Sequence, residues 1–244
     1  MNRAPRHMQS PYQEQYTEWC LVAKRPDDAS NAHSIGDERD GSSTAIIILA
    51  AGASTRMGRP KLLLTYGHRT LLRHAAETAA ASICRPIFVV LGAYANQLHG
   101  EIDDLPVRSV INEWWADGMG SSIQVGVGAL NTYDRADSTE ALVLMLCDQP
   151  YVTAAVINDL VTAYHLNGKG IIASEYAGTL GAPALFGREY FAELATMRGA
   201  AGAKQIIAAH ASDVVPMPFP MGMTDIDTPE DYRQLQHAMQ PQTL

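Results

Sequence analysis

An α/β fold is predicted here, with a mainly parallel sheet flanked by helices on both faces, and three observations predict it. From Thr44 onward, short apolar runs rich in β-branched residues alternate with amphipathic helical stretches, the pattern of buried parallel strands joined by crossover helices. At 244 residues and 47% hydrophobic content, the chain can bury a full core as one domain of ordinary size. The chemically unusual segments after Leu49, Ile111 and Cys147 each follow a strand candidate, at the edge where open α/β sheets hold their ligands.

Residues 1–42 are polar, carry Pro5, Pro11 and Pro26 and show no sustained period, so they read as a flexible N-terminal extension to a domain spanning 43–244. The island from Glu18 to Ala23, with Trp19 and Cys20, either docks or forms a short local element. Strands are expected at residues 45–49, 87–91, 107–111, 141–147 and 170–174. Helices are expected at 71–82, 94–100, 121–130 and 153–165, and later at 189–197, 203–210 and 229–239. Thr153 and Thr228 stand where N-caps belong, and Pro229 suits a first helical position.

Net charge and cysteine usage narrow the function classes. A net charge of -8 and a pI near 5.4 argue against a nucleic-acid partner, which is held through a basic face. No apolar run approaches the roughly 18–20 residues that cross a bilayer, so the expectation is a cytoplasmic protein with no membrane partner. Cys20, Cys84 and Cys147 are too few and too irregular for a disulfide framework and read as free thiols.

The loop after the first strand, Ala50-Ala51-Gly52-Ala53-Ser54-Thr55-Arg56-Met57-Gly58-Arg59-Pro60-Lys61, has the chemistry of a polyphosphate site. Gly52 and Gly58 let the backbone turn its N–H groups toward an anion. Arg56 can grip phosphate oxygens in a fork, and Lys61 can act as a mobile point charge on the same group. Neither the P-loop nor the dinucleotide fingerprint fits this spacing. Asp148, at the tip of the apolar run 142–147 and followed by Gln149-Pro150, is placed to hold Mg²⁺ against a triphosphate. A capping role for it is the bland alternative, but Thr153 is the better cap. In Thr224-Asp225-Ile226-Asp227-Thr228-Pro229-Glu230-Asp231, helix-start chemistry explains all but Asp225 and Asp227. One residue apart in an extended segment, these two point to the same side, and Asp227 is taken as the second carboxylate facing the metal. The segment Asn112–Ser122 leads into a helix whose small polar start, with Ser121 and Ser122, can meet a flat polar ligand edge or simply cap the helix. Trp114 and Trp115 either stack on a ring or pack the loop.

Leu49-Ala50-Ala51-Gly52, followed by Arg56-Met57-Gly58 and Pro60-Lys61, resembles the signature of the nucleotidyltransferases that make molybdenum cofactor dinucleotides. Within them it resembles the cytidylyltransferase branch, where Ala-Ala-Gly replaces Ala-Gly-Gly. The Cys147-Asp148-Gln149-Pro150, Asp225-Ile226-Asp227-Thr228-Pro229-Glu230-Asp231 and Asn112-x-x-Trp115-x-x-Gly118-Met119-x-Ser121-Ser122 segments resemble further family motifs. The resemblance spans roughly residues 44–240. It implies a single Rossmann-like nucleotidyltransferase domain with Mg²⁺ as cofactor. It further implies cytidylyl transfer from CTP to the phosphate of a pterin-type molybdenum cofactor, the product passing to a molybdoenzyme partner. Arg56, Lys61 and Asp148 then carry catalysis. Leu49, Ala51, Gly52, Gly58, Lys61, Gly118, Ser121 and Ser122 hold the nucleotide, with Gly118 and the serines beside its base, and Asp148 with Asp227 holds the metal. Two departures fall in the acceptor half: Ala182 stands for the usual histidine of a Gly-His-Pro element, and Ala200 and Lys204 stand for an acid and an arginine. These leave three other readings: a nucleotidyltransferase acting on another phosphorylated acceptor, a non-catalytic cofactor chaperone, or an oxidoreductase on the same scaffold, for which no nicotinamide glycine fingerprint is visible.

Overall fold

The computed structural model describes residues 43–133, 136–200 and 202–239; the predicted extension over 1–42, with its Trp19 island and Cys20, lies outside them. Along the chain run β1 (Thr44–Ala50), a small hairpin of β2 (Thr65–Tyr66) and β3 (Arg69–Thr70), α1 (Leu71–Ala81), β4 (Ile87–Leu91) and α2 (Ala95–Leu98). They are followed by β5 (Arg108–Ile111), α3 (Met119–Asn131), β6 (Ala141–Leu146), α4 (Ala154–Asn167), β7 (Ile171–Tyr176) and β8 (Thr179–Gly187). The chain closes with α5 (Phe191–Leu194), α6 (Lys204–Ala209), β9 (Val214–Pro218) and α7 (Pro229–Met239).

Seven strands form one sheet in the order β5-β4-β1-β6-β8-β7-β9. Every neighbouring pair is parallel except those made by β8, which runs against both β6 and β7. β1 lies inside the sheet, next to the central β6, with Ile46 level with Ile87 on one side and Val143 on the other. Its residues alternate between two cores because successive side chains in a strand point to opposite faces. Ile46, Ile48 and Ala50 pack with Leu72, Ala75 and Ala76 of α1 and Ile157 and Leu160 of α4. Ala45 and Ile47 pack with Ile123 and Val127 of α3, Leu194 of α5 and Ile206 of α6. A strand buried on both faces needs an apolar residue at every position, which is why β1 and β6 read as unbroken runs. Where α3 crosses β1, a Cβ on Gly126 would stand 2.6 Å from Ile47 Cγ2, so glycine sets how closely this helix approaches the sheet. Thr153 caps α4, its side chain accepting from Val156 N–H, as expected. No helix among the described residues is long and apolar enough to cross a membrane.

The structure differs from the sequence reading in several elements, the β2–β3 hairpin among them. β8 was not expected, because Gly181 and Pro183 break its apolar pattern; a register shift between Ala173 and Ser174 accommodates the irregular half. β9 was not expected either, since Pro216 and Pro218 suit only an edge strand, and β9 is the edge. The helix predicted over 189–197 shrinks to a 3₁₀ turn at Arg188–Tyr190 and the single turn of α5. The helix predicted over 94–100 divides into α2 and a 3₁₀ turn at His99–Glu101.

Candidate active site

The loop between β1 and Lys61 is built by local hydrogen bonds. Ser54 adopts φ 52° and Gly58 φ 69°, and the carbonyl of Ser54 accepts from the N–H groups of Met57 and Gly58. The Ser54 hydroxyl accepts from Lys61 N–H at 3.1 Å, closing the loop across seven residues. The Tyr94 hydroxyl donates to the Ala53 carbonyl at 3.1 Å, and Met57 is buried against Leu64, Ile226 and Tyr232, so the loop is pinned on two sides. A Cβ on Gly92 would lie 2.6 Å from the Ala51 carbonyl oxygen, which leaves room only for glycine where the end of β4 meets this loop.

Two acidic segments converge on Lys61. The Ile226 N–H donates to the Asp148 carbonyl at 3.0 Å, tying the tip of β6 to the segment before α7. Lys61 Nζ lies 2.6 Å from Asp148 Oδ2 and 2.7 Å from Asp227 Oδ1. Arg56 Nη2 takes the other oxygen of Asp227 at 2.7 Å. Burial opposes the charge on Lys61, yet the two carboxylates outweigh it and hold its pKa above the ordinary lysine value. The fourth carboxylate oxygen, Asp148 Oδ1, is buried with no hydrogen-bond partner among the described residues. Asp225 joins the same cleft; loss of solvent there, with the Asp148 and Asp227 carboxylates nearby, pushes it up to about 6. The start of α7 is fixed by a reciprocal cap: Thr228 N–H donates to the Asp231 carboxylate at 2.7 Å and Asp231 N–H to Thr228 Oγ1 at 3.2 Å. Asp227 is thereby held beside Lys61.

A cleft of about 660 Å³ opens over these groups. Of the residues expected to form the site, Leu49, Ala51, Gly52, Arg56, Lys61, Gly118, Asp148 and Asp227 line it. Gly58, Ser121 and Ser122 do not face it. Gly58 shapes the loop, and the serines are buried behind the wall, where Asn112 Nδ2 donates to Ser121 Oγ at 2.8 Å and Ser122 Oγ at 3.0 Å. The Ser121 hydroxyl is further engaged by the carbonyls of Trp114 and Gly118. In this structure both serine hydroxyls are engaged within the turn. Trp115 lines the cleft and Trp114 is 63% exposed.

Three contributors escaped the sequence reading. Asn112, fully buried, organises the whole 112–122 turn, accepting from Trp114 N–H besides its bonds to the serines. Gln149 Nε2 donates to the Ala182 and Gly222 carbonyls, both at 3.1 Å, joining the tip of β6 to the start of β8 and to the loop before Asp225. Tyr176 closes the far wall with Ala182, Ala200 and Lys204. Cys84 and Cys147 are free and buried; burial raises the Cys147 thiol pKa far above the ordinary value, in keeping with a core residue.

The donor set suits a hard divalent cation that arrives with phosphates. Among the described residues no three His, Cys, Asp or Glu side chains stand in metal-holding geometry. Mg²⁺, however, is usually bound through one or two carboxylates plus substrate phosphate oxygens. The unpartnered Asp148 Oδ1 is a free anionic oxygen of the required kind.

A mixed sheet of mainly parallel strands with an acidic tip facing a glycine-turned cationic loop defines a nucleotide-handling α/β enzyme, and similarity to known proteins narrows the class. Residues 46–214 match the MobA-like NTP transferase domain, and the chain belongs to this family, a family of nucleotidyltransferases. Over 143 residues it is 35% identical to nicotine blue oxidoreductase of Paenarthrobacter nicotinovorans, a match covering 58% of this chain and 66% of that protein. The chain thus spans just under two thirds of that relative's length. Among solved structures, Rv0371c from Mycobacterium tuberculosis H37Rv superposes with a TM-score of 0.69 at 27% identity, covering 81% of this chain and 99% of that one. Its complex with manganese superposes with a TM-score of 0.67 at 26% identity, covering 81% and 100%.

Proposed function

We propose that this protein transfers a cytidylyl group from CTP, with Mg²⁺, to the phosphate of a pterin-type molybdenum cofactor, releasing pyrophosphate. The observation that carries the reading is the cluster in which Arg56, Lys61, Asp148 and Asp227 meet where β1 and β6 end. An oxygen of the acceptor phosphate attacks the α-phosphorus, the bond to the bridging oxygen breaks, and pyrophosphate departs with that electron pair. The acceptor brings its own anionic nucleophile, so no general base is needed; alignment and charge neutralisation are the enzyme's contributions. Arg56 and Lys61 hold the phosphates, while the backbone at Gly52 faces them. Among the described residues the N–H groups of Gly52 and Ala53 make no hydrogen bond, which suits an anion cradle. Asp148 and Asp227 would hold the metal, which would draw charge from the phosphates when bound.

Ala51 and the turn at Gly118, shaped from behind by Asn112 and the serines, favour cytosine on this reading. The decisive assay follows pyrophosphate release with each nucleoside triphosphate, Mg²⁺ and candidate acceptors, molybdenum cofactor among them. CTP-dependent release with the cofactor is the expected result. Release with another phosphorylated acceptor moves the assignment within the family. A cofactor that binds without any release identifies a chaperone, the reading that Ala182 and Ala200 on the far wall support. A second reading, favoured by the 35% identity to nicotine blue oxidoreductase, is redox chemistry on a flat ring; it is checked by following reduced nicotinamide oxidation with a dye acceptor.

A further inference from the structure

Resting on the reading of a metal-dependent nucleotide site, we propose that Lys61 is the resident counter-cation of the acidic tip in the nucleotide-free protein. It leaves Asp148 and Asp227 for the phosphates only when nucleotide and divalent cation arrive together. Lys61 is thus an exchange element as well as a phosphate ligand.

Four observations lead there. The Lys61 side chain is only 15% exposed and its ammonium is within 2.7 Å of an oxygen from each of two carboxylates, a point charge placed where a metal would be drawn. Arg56 occupies the remaining oxygen of Asp227, so cations already engage three of the four oxygens of the pair. The one left, Asp148 Oδ1, is buried, so a divalent ion arriving without phosphates finds one unoccupied carboxylate oxygen of the pair, whereas it is usually held by one or two carboxylates together with substrate phosphate oxygens. Finally, Lys61 is fixed at its backbone by the Ser54 hydroxyl, while its four-carbon stem is flexible; the ammonium can change partners without the loop moving.

The electrostatics give the exchange its direction. A bare divalent ion entering the tip meets two cations and finds the carboxylates occupied. A triphosphate carries anionic oxygens that draw Lys61 and Arg56 away, which frees the carboxylates for the metal. Each ligand thus removes the obstacle to the other, and by linkage the coupling is reciprocal. The protein on its own holds little free metal at its acidic tip.

Mn²⁺ without nucleotide is the probe, its binding to the full-length protein measured by electron paramagnetic resonance. Wild type is expected to bind free Mn²⁺ weakly and to bind it at least tenfold more tightly in the presence of a nucleoside triphosphate. K61M removes the resident cation and is expected to bind free Mn²⁺ at least tenfold more tightly than wild type, with the nucleotide coupling correspondingly smaller. K61R keeps a cation in place and is expected to keep free Mn²⁺ binding weak. The exchange is overturned if K61M binds free Mn²⁺ no better than wild type, or if wild type binds Mn²⁺ equally well with and without nucleotide. Should K61M fail to fold, the wild-type comparison and K61R decide. No acceptor is present, so the result is independent of turnover. Normal pyrophosphate release with uncoupled Mn²⁺ binding sinks the exchange alone, and coupled binding without release under any acceptor sinks the proposed reaction alone.

Discussion

Arg56 and Lys61 carry the same charge in different surroundings, and their loss should differ accordingly. The Arg56 side chain is 70% exposed and pairs with one carboxylate. Arg56→Ala is expected to leave folding unchanged while turnover falls ten- to a hundredfold, the loss of a charge-assisted contact of about 1.5–3 kcal/mol. Lys61→Ala is expected to lower turnover by a similar factor and also to destabilise the fold by about 1–3 kcal/mol, because two partly buried carboxylates lose their shared donor. Urea denaturation beside the pyrophosphate assay checks both; a Lys61→Ala protein as stable as wild type contradicts the geometry. His74 provides a pH signature at the same scale. Its Nε2 lies 2.9 Å from the Pro150 carbonyl, and burial depresses its pKa despite that bond. The unfolded chain therefore takes up this proton more readily than the native one, so His74 costs stability as pH falls below its unfolded pKa of about 6.5. His74→Gln, which can still donate to Pro150, should flatten the stability change between pH 7.5 and 5.5.

The start of α3 is fitted to a neighbouring loop through backbone alone. Gly120 N–H donates to the Gly199 carbonyl at 2.9 Å, and a Cβ on Gly120 would stand 2.8 Å from the Arg198 carbonyl carbon. Gly120→Ala must push that loop away. The expected cost is about 1–3 kcal/mol by urea denaturation, with a higher KM for nucleotide, since Gly118 on the same turn lines the cleft. At the scale of elements, legibility followed burial and locality. β1, β4 and β6 were legible because burial on both faces leaves unbroken apolar runs, while β8 hid behind Gly181 and Pro183. In the site, Arg56, Lys61 and Asp148 stood out because charges beside a central strand have no packing reason to be there. For Ser121 and Ser122 the sequence left a ligand edge and helix capping both open, because the bonds to Asn112 close a turn that chain order does not reveal. Gln149 was missed since its partners lie 33 and 73 residues away.

Over the whole molecule, the last helix returns to the first loop. Tyr232 and Leu235 of α7 share a buried cluster with Met57 and Leu64, and the Tyr232 hydroxyl donates to the Thr65 carbonyl at 2.9 Å. Ligand held by that loop should therefore stabilise the fold as a unit. CTP with Mg²⁺ at a hundred times its Kd is expected to add about 2.7 kcal/mol, seen as a rise in Tm. GTP at the same concentration should give less, and Asp148→Asn should remove the Mg²⁺-dependent part of the rise. A larger shift with GTP would transfer the assignment to guanylyl chemistry.

β6 stops pairing with β8 at the level of Leu144 and Ala184, whereas β7 and β8 continue together to Tyr176 and Thr179. On its β8 side the hairpin runs past β6, while its β7 arm stays paired with β9 as far as Glu175 and Pro218; it is closed by Ala177 and Gly178, both at positive φ. Its residues Tyr176, Gly181 and Ala182 line the cleft and Leu180 packs against the core beneath α3, while the turn at Ala177 and Gly178 belongs to neither core. This is where evolution can resize the far wall by insertion or deletion, leaving the phosphate loop and the acidic tip intact. Side chains alternate along a strand, so lengthening by two residues on each arm keeps the same face inward, and lengthening by one turns it out. Relatives with different acceptors are expected to vary there in steps of two.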